Sequence, residues 1–104
     1  MRQAYTELLR TTTSERAVVQ LARAYLAEWS PNELAAIPAV CRPGKIVDAE
    51  DIADVAYALT RARIESKGPQ ALLEQMEGFF ARCCARLSEL EAPSHAPERS
   101  YLTR

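Results

Sequence analysis

Glycine and histidine are scarce in this chain. Among 104 residues there are three glycines and one histidine, His95. Because no glycines fall in a GxGxxG or GxxxxGK arrangement, the glycine-rich loops that cradle phosphates in nucleotide-binding folds are excluded. The single histidine lies in a polar stretch after residue 91, so a Ser-His or Cys-His nucleophile pair would require that stretch to fold back. We therefore expect a protein without catalytic activity.

Long apolar runs and a net charge of one sign are also missing. No segment approaches the roughly 20 apolar residues that cross a membrane, and the first residues lack the apolar stretch of a signal peptide. Thirteen Lys and Arg are interspersed with 14 Asp and Glu, which leaves no basic patch for nucleic acid. Helices beginning after Ser30 and Gly68 would present Glu33 and Glu74 to phosphates, which disfavours a helix-turn-helix. We expect a cytoplasmic protein that binds neither nucleic acid nor membrane.

The three cysteines form an odd set without CxxC spacing, so no disulfide framework is expected. Cys83 and Cys84 are adjacent and would diverge by about 100° on a helix. Together with Cys41 and His95 they make a Cys₃His set, but the spacing matches no zinc pattern. We expect reduced thiols, no metal and no cofactor.

The apolar pattern predicts an all-α fold, because helical periodicity recurs and no stretch alternates as a half-buried strand does. We expect a small helical bundle of three long helices and two short ones. The long helices are predicted at about 13–29, 49–66 and 70–91, and the short ones at about 2–10 and 31–37. Residues 1–91 are expected to form a single domain, with a C-terminal tail at 92–104.

Three helix starts carry capping signals. Thr12 and Glu15 have the form of a capping box, as do Ser30 and Glu33 around a proline at the first helical position. Asp48 is predicted to cap the helix that begins at about residue 49.

Two turns are predicted from proline and glycine. Pro43 and Gly44 suit the centre of a type II turn within the loop 38–48. Gly68 and Pro69 combine a helix stop with a helix start, which predicts a short connection and antiparallel neighbours. Three apolar residues of the first loop are expected to fold back onto the core: Val40, Ile46 and Val47.

The last helix has the clearest periodicity in the chain. Its apolar residues repeat at heptad spacing, widened by two neighbours: Leu73, Met76, Phe80, Cys83, Leu87 and Leu90, with Leu72 and Phe79. The helix before it carries two apolar seams, which predicts a wide buried arc and a central position in the bundle. The first seam consists of Ile52, Val55, Leu59 and Ala62. The second seam consists of Ala53, Tyr57, Thr60 and Ile64.

Surplus apolar surface favours an interaction protein, with an adaptor-like or regulatory role and a protein partner or a second copy (a homodimer) as the partner. Three aromatics are candidate anchors at the edge of an interface: Trp29, Tyr57 and Phe79.

A line of small residues opposite the heptad seam is a candidate for close packing, against another helix of the chain or against a second chain: Gly78, Ala81, Ala85 and Ser88. Alanine on an exposed helix face is also simply a good helix former. Glu74 and Glu77 on the same side of the helix favour contact with water.

An alternative function centres on the loop with Cys41, Arg42 and Lys45. Two cations beside a thiol would lower its pKa and attract anions, which would make the loop a sensor of small anions or of thiol oxidation. The simpler interpretation is that Cys41 is a small buried side chain and that both cations are solvated.

Overall fold

The computed structural model of the chain describes residues 2–91, with side chains from Ala4 onward. This part consists of helices and turns, with no strand, so the predicted all-α class is confirmed. The helices are α1 (Arg2–Thr11), α2 (Glu15–Ala27), α3 (Pro31–Ala35), α4 (Ala49–Ile64) and α5 (Gln70–Glu91). The predicted tail 92–104, with His95, lies outside the described residues.

Two of the predicted caps are present. Ser30 Oγ accepts a hydrogen bond from the Glu33 amide at 3.1 Å, and Glu33 Oε1 accepts one from the Ser30 amide at 2.8 Å. Asp48 caps α4 in the same reciprocal way with Asp51. These bonds satisfy amides that no helical carbonyl can reach, and so they set where α3 and α4 begin.

The predicted capping role of Thr12 is wrong. Thr12 Oγ1 donates to the Leu9 carbonyl at 2.8 Å and therefore belongs to the end of α1. Ser14 caps α2 instead, since its hydroxyl accepts from the Ala17 amide at 3.1 Å. Ser14 has the extended backbone that a cap requires.

The predicted type II turn at Pro43 and Gly44 is also wrong. Pro43–Lys45 form a 3₁₀ turn, and Gly44 does not take the positive φ that a type II turn requires. The turn packs against α2 and brings Ile46 into the core.

Of the other loop residues expected to fold back, Val40 is partly buried and Val47 is 71% exposed. The prediction fails for Val47 because its amide donates to Asp51 Oδ2 at 2.7 Å. This bond ties Val47 to the start of α4, on the outside of the molecule.

The connection between α4 and α5 is short, as predicted, but the helix stops before Gly68. Ser66 takes a left-handed φ of 58°, and the Lys67 amide donates to the Ala62 carbonyl at 2.8 Å. This arrangement is a Schellman motif with serine where glycine is usual. Gly68 follows at φ 136°, and a β-carbon added there would lie 2.9 Å from the Ala36 carbonyl oxygen. The turn therefore rests directly on the backbone at the end of α3.

The core forms around α2 and α5, and the predicted central position of α4 is wrong. α5 packs against α1, α2 and α4, and α2 packs against α1, α4 and α5. Of the two α4 seams, the one from Ile52 to Ala62 is buried, whereas Tyr57 and Ile64 of the other are 62% and 66% exposed. The second seam is largely exposed because the long helices that α4 contacts, α2 and α5, pack mainly on its first seam. The α5 seam is buried through Cys83 and partly buried at Leu87 and Leu90.

Tyr25 of α2 is the centre of an aromatic cluster. Its ring stacks on Phe79 with centroids 3.9 Å apart, and it meets Trp29 at 6.0 Å and Phe80 at 6.2 Å edge to face. Trp29 and Phe79 are 6% and 3% exposed, so the prediction that they lie at the edge of an interface is wrong. Both rings are in the core because they contact the Tyr25 ring, which packs between the two helices, and aromatic pairs favour stacked and edge-to-face contacts.

α1 docks on the bundle, as expected for a helix too short to be stable alone. Leu9 is buried, Tyr5 is partly buried, and the Tyr5 hydroxyl donates to Glu28 Oε2 at 3.1 Å. Leu8 remains 50% exposed. None of the helices within residues 2–91 combines the length and the apolarity that a membrane crossing requires.

Candidate functional site

The exposed side of α4 combines apolar and charged residues at helical spacing. Its members are Glu50, Ala53, Asp54, Tyr57, Arg61 and Ile64, all of them exposed. Steps of three and four residues place them on one side of the helix, which we name the α4 outer face. Four large apolar side chains are exposed in the described part of the chain, and Tyr57 and Ile64 are two of them. The face therefore concentrates apolar surface that the fold leaves uncovered.

A polar network holds the centre of this face. Arg61 Nη1 donates to the Tyr57 hydroxyl at 3.0 Å, and Arg61 Nε donates to Glu65 Oε2 at 3.0 Å. Lys67 Nζ lies 3.2 Å from Glu65 Oε1. Hydrogen bonds from Arg61 and Lys67 lower the pKa of the Glu65 carboxyl, so this group stays ionised and keeps Arg61 in place. Exposed pairs of this kind add little stability, but they order the Tyr57 and Arg61 side chains.

An apolar groove runs beside the α4 outer face, where the end of α3 approaches α4. It has a volume of about 550 Å³. Its walls are Ala35, Ala36, Ile37 and Pro38 on one side and Tyr57, Ala58, Arg61, Ala62, Glu65 and Lys67 on the other. Tyr57 and Arg61 thus belong both to the outer face and to the groove. A partner that covers the face could insert an apolar side chain between α3 and α4.

The small-residue line on α5 is only partly covered by the rest of the fold. Ala81, Ala85 and Ser88 are exposed, and Gly78 is partly buried. A β-carbon added at Gly78 would meet only Arg82 Nη1, at 3.8 Å, which is an ordinary contact. No other helix of the described chain therefore approaches Gly78 closely, whereas Ala85 borders a groove between α5 and α1. A second chain at Gly78, Ala81 and Ala85 remains a prediction.

The loop of Cys41, Arg42 and Lys45 does not have the open, activated thiol that a sensor needs. Cys41 is fully buried, and burial raises the pKa of its thiol to about 12 although the Arg42 charge acts in the opposite direction. Arg42 is partly buried and Lys45 is exposed. The expectation of a lowered pKa is wrong because desolvation outweighs the attraction of one neighbouring cation.

The other two cysteines lie on α5. Burial raises the pKa of the Cys83 thiol to about 12 and also raises that of Cys84, which is partly buried. The three thiols are unpaired. Within residues 2–91 no group of three or more histidine, cysteine or acidic residues could hold a metal ion, and His95 of the suggested Cys₃His set lies outside this range.

Sequence reasoning identified Tyr57 as a candidate anchor, assigned Ile64 to a seam expected to be buried, and missed Arg61 and the groove wall at Ala35 and Ala36. The sequence does contain a signal that Arg61 and Ile64 share a face with Tyr57, since Arg61 follows Tyr57 by one turn and Ile64 follows it by two. The groove wall depends on how α3 packs against α4, which no local pattern reveals. Comparisons with known protein families, with curated proteins and with solved structures find no match to this chain.

Proposed function

We propose that this protein is a non-catalytic helical interaction protein of the cytoplasm, that it acts through the α4 outer face, and that a second copy of the chain occupies this face. The observation that carries the proposal is the exposure of Tyr57 and Ile64, at 62% and 66%, on one side of a helix whose opposite seam is buried. Apolar surface concentrated in this way is typical of interaction sites, since water is expelled when a partner covers it. Tyrosine and arginine are also among the residues that dominate binding energy at interfaces.

Charge complementarity favours a second copy as the partner. The first half of the α4 outer face is acidic, with Glu50 and Asp54, and its second half carries Arg61 beside Ile64. An antiparallel two-fold pairing centred on Tyr57 brings Asp54 of each copy to Arg61 of the other. The opposed helix dipoles are favourable in the same arrangement. Isologous pairing of this kind is the most common form of protein self-association.

The cytoplasmic location belongs to the same proposal and rests on the thiols. Cys41, Cys83 and Cys84 are unpaired, which is the state that a reducing compartment maintains.

Paired charge reversals test the antiparallel arrangement. Asp54→Arg and Arg61→Asp should each abolish self-association, because each variant places like charges opposite each other at both symmetric contacts. An equimolar mixture of the two variants should form a heterodimer, since opposite charges then meet at both contacts. At one contact the two introduced side chains face each other, and at the other the native Arg61 faces the native Asp54. Sedimentation velocity over a concentration series measures the mass of each variant and of the mixture.

Two variants that each replace an exposed apolar residue by serine test whether self-association uses the α4 outer face or another part of the surface. Ile64→Ser should weaken self-association by roughly tenfold or more, as expected for loss of a buried aliphatic anchor. Leu8→Ser is the matched control, because Leu8 is 50% exposed on α1, away from α4, and its loss should leave the mass unchanged. A wild-type chain that is monomeric throughout the series rules out the second copy. Equal effects of the two serine variants would rule out the α4 outer face.

A further inference from the structure

A second surface feature lies between α1 and α5 and is independent of the α4 outer face. It is a groove of about 500 Å³ lined by Thr6, Leu9, Arg10, Arg82, Ala85, Arg86 and Glu89. We name it the arginine groove, because three of its seven lining residues are arginines. Its size is in the range of small-molecule sites in proteins.

The charges of the arginine groove are not balanced within it. Three guanidinium groups and one carboxylate, that of Glu89, line the groove. Arg86 pairs with Glu89 and Arg10 pairs with Glu7, which leaves the charge of Arg82 uncompensated. Arg82 and Arg86 are one helical turn apart, and like charges at this spacing repel each other. Arg82 forms no ion pair with any side chain that the structure describes. An anion in the groove would remove this repulsion.

Arg86 provides a fixed positive charge on one wall of the groove. Arg86 Nε donates to the Thr12 carbonyl at 3.1 Å, and Arg86 Nη1 donates to Glu89 Oε1 at 2.8 Å. These bonds hold the guanidinium in place with its side chain 24% exposed. A charge that is already positioned needs no reorganisation when a ligand arrives, which favours binding.

The other two arginines are available to a ligand. Arg82 lies on α5, and Arg10 reaches only Glu7 on its own helix, at 3.3 Å, in a pair whose side chains are 72% and 74% exposed. Such an exposed pair is weak, so Arg10 can turn toward the groove at little cost. The apolar part of the groove lining comes from Ala85, which is exposed, and from the small accessible part of the buried Leu9.

We propose that the arginine groove binds the phosphate group of a small phosphate monoester. Arg82 and Arg10 donate to the phosphate oxygens, Arg86 supplies a fixed charge, and the organic part lies on Leu9 and Ala85. A phosphate monoester carries about −1.5 to −2 charges at neutral pH, which Arg82 can balance together with Arg10 once Arg10 turns from Glu7 to the phosphate. The planar guanidinium fork also fits the geometry of phosphate oxygens.

Calorimetric titration with glycerol 3-phosphate tests the proposal, with inorganic phosphate as a second probe and acetate as a monoanion control. Both phosphate probes should bind with one site per chain and acetate should not. Arg82→Gln and Arg10→Gln should each weaken phosphate binding about tenfold, as expected when a charged hydrogen bond is lost. In the absence of phosphate, Arg82→Gln should melt at the wild-type temperature or above it, because the repulsion with Arg86 is removed.

Lys45→Gln is the matched control, because it removes an exposed cation from the loop 38–48 and leaves the groove intact. It should bind phosphate as the wild type does. Vesicles that contain phosphatidic acid identify a lipid source of the same phosphate group: vesicle binding that Arg82→Gln abolishes assigns the headgroup, whereas binding of the soluble probes alone assigns a free metabolite. Absence of saturable binding to every phosphate probe overturns the proposal, and so does equal weakening by Lys45→Gln and Arg82→Gln.

Discussion

At the scale of single residues, two positions in the turn between α4 and α5, separated by Lys67, have positive φ angles with opposite consequences. Ser66 takes the left-handed conformation at a cost that glycine would not incur, because its β-carbon crowds the following carbonyl. Gly68 holds φ 136°, where a side chain would be strained, and leaves no room for one against the Ala36 carbonyl. Glycine at position 66 should therefore stabilise the turn, whereas any replacement of Gly68 should destabilise it.

Substitutions at these two positions should change the free energy of unfolding in opposite directions. Ser66→Gly should raise it by about 0.5–1 kcal/mol, since relief of left-handed strain exceeds the added freedom of the unfolded chain. Gly68→Ala should lower it by about 1–3 kcal/mol. Urea denaturation followed by circular dichroism measures both. Ser88→Gly, within α5, is the control and should be destabilising by about 0.5–1 kcal/mol. A loss of stability in Ser66→Gly would contradict the assignment of strain.

Caps and turns could be predicted from the sequence where one residue type dominates. Ser30 with Glu33 is such a case, because the reciprocal pair has few alternatives. The start of α2 was misassigned since Thr12 and Ser14 have similar side chains, and the choice depends on how α1 ends. The left-handed Ser66 could not be found, because serine at this place has no local signature.

At the scale of elements, α4 and α5 are joined along one edge by Glu77. Thr60 Oγ1 donates to Glu77 Oε2 at 2.8 Å, and Arg63 donates to both oxygens of the same carboxylate. The sequence pattern placed Glu77 on a side of α5 that favours water. It instead accepts hydrogen bonds across the two helices, with a side chain that is 22% exposed. Hydrogen bonds from Arg63 and Thr60 lower the pKa of this carboxyl.

The stability that Glu77 contributes should depend on pH. Because the folded-state pKa lies below the unfolded value of about 4.5, the contribution is complete above that pH and is lost as pH falls through the folded value. Glu77→Gln should lower the free energy of unfolding by about 1 kcal/mol at pH 7, and by less at pH 3.

Urea midpoints measured from pH 7 to pH 3 check this dependence. Glu74→Gln, an exposed neighbour on the same helix, is the control and should change the midpoint little at either pH. A Glu77→Gln cost that is the same at both ends of the range would contradict the role of the carboxylate.

Apolar periodicity predicted where the helices lie better than it predicted which helices pack against each other. The heptad seam of α5 has one buried side, and its position followed directly from the spacing. α4 has two seams of similar strength, from Ile52 and from Ala53, and spacing alone does not indicate which one meets another helix. The uncovered second seam became the candidate site for this reason.

At the scale of the whole molecule, the buried thiols report on how far the fold opens. Burial raises the pKa of the Cys41 and Cys83 thiols to about 12, which leaves far less thiolate than in an exposed cysteine. Cys84 lies partly exposed on the same helix as Cys83.

Thiol labelling should therefore occur in a fixed order. At pH 8, Cys84 should react first with an aromatic disulfide reagent. Cys41 and Cys83 should react at least about a hundredfold more slowly, at a rate that rises with urea as the fold opens. Mass spectrometry of digested samples identifies each labelled position. Cys41 labelling as fast as Cys84 labelling would show that the loop 38–48 opens, and it would revive the sensor alternative.

The all-α class followed from the sequence, but the surfaces did not. The aromatics Trp29, Tyr57 and Phe79 looked alike as interface candidates, yet two are buried around Tyr25 and one is exposed. The arginine groove brings α1 residues together with α5 residues from the far end of the described chain. Surfaces assembled from distant segments in this way depend on tertiary packing, which a linear pattern does not encode.

The hydrogen bond from Arg86 to the Thr12 carbonyl has a consequence for folding during synthesis on the ribosome. α1, α2 and α4 all pack against α5, which is the last of the described helices to be made. Until α5 emerges, α2 can pack against α1 and α4, but the apolar surface that α5 covers on these helices stays exposed, and the Thr12 carbonyl lacks the guanidinium of Arg86. Folding during synthesis can therefore be completed only after this late segment emerges, and a nascent chain stalled before Arg86 would expose part of its future core to chaperones and proteases.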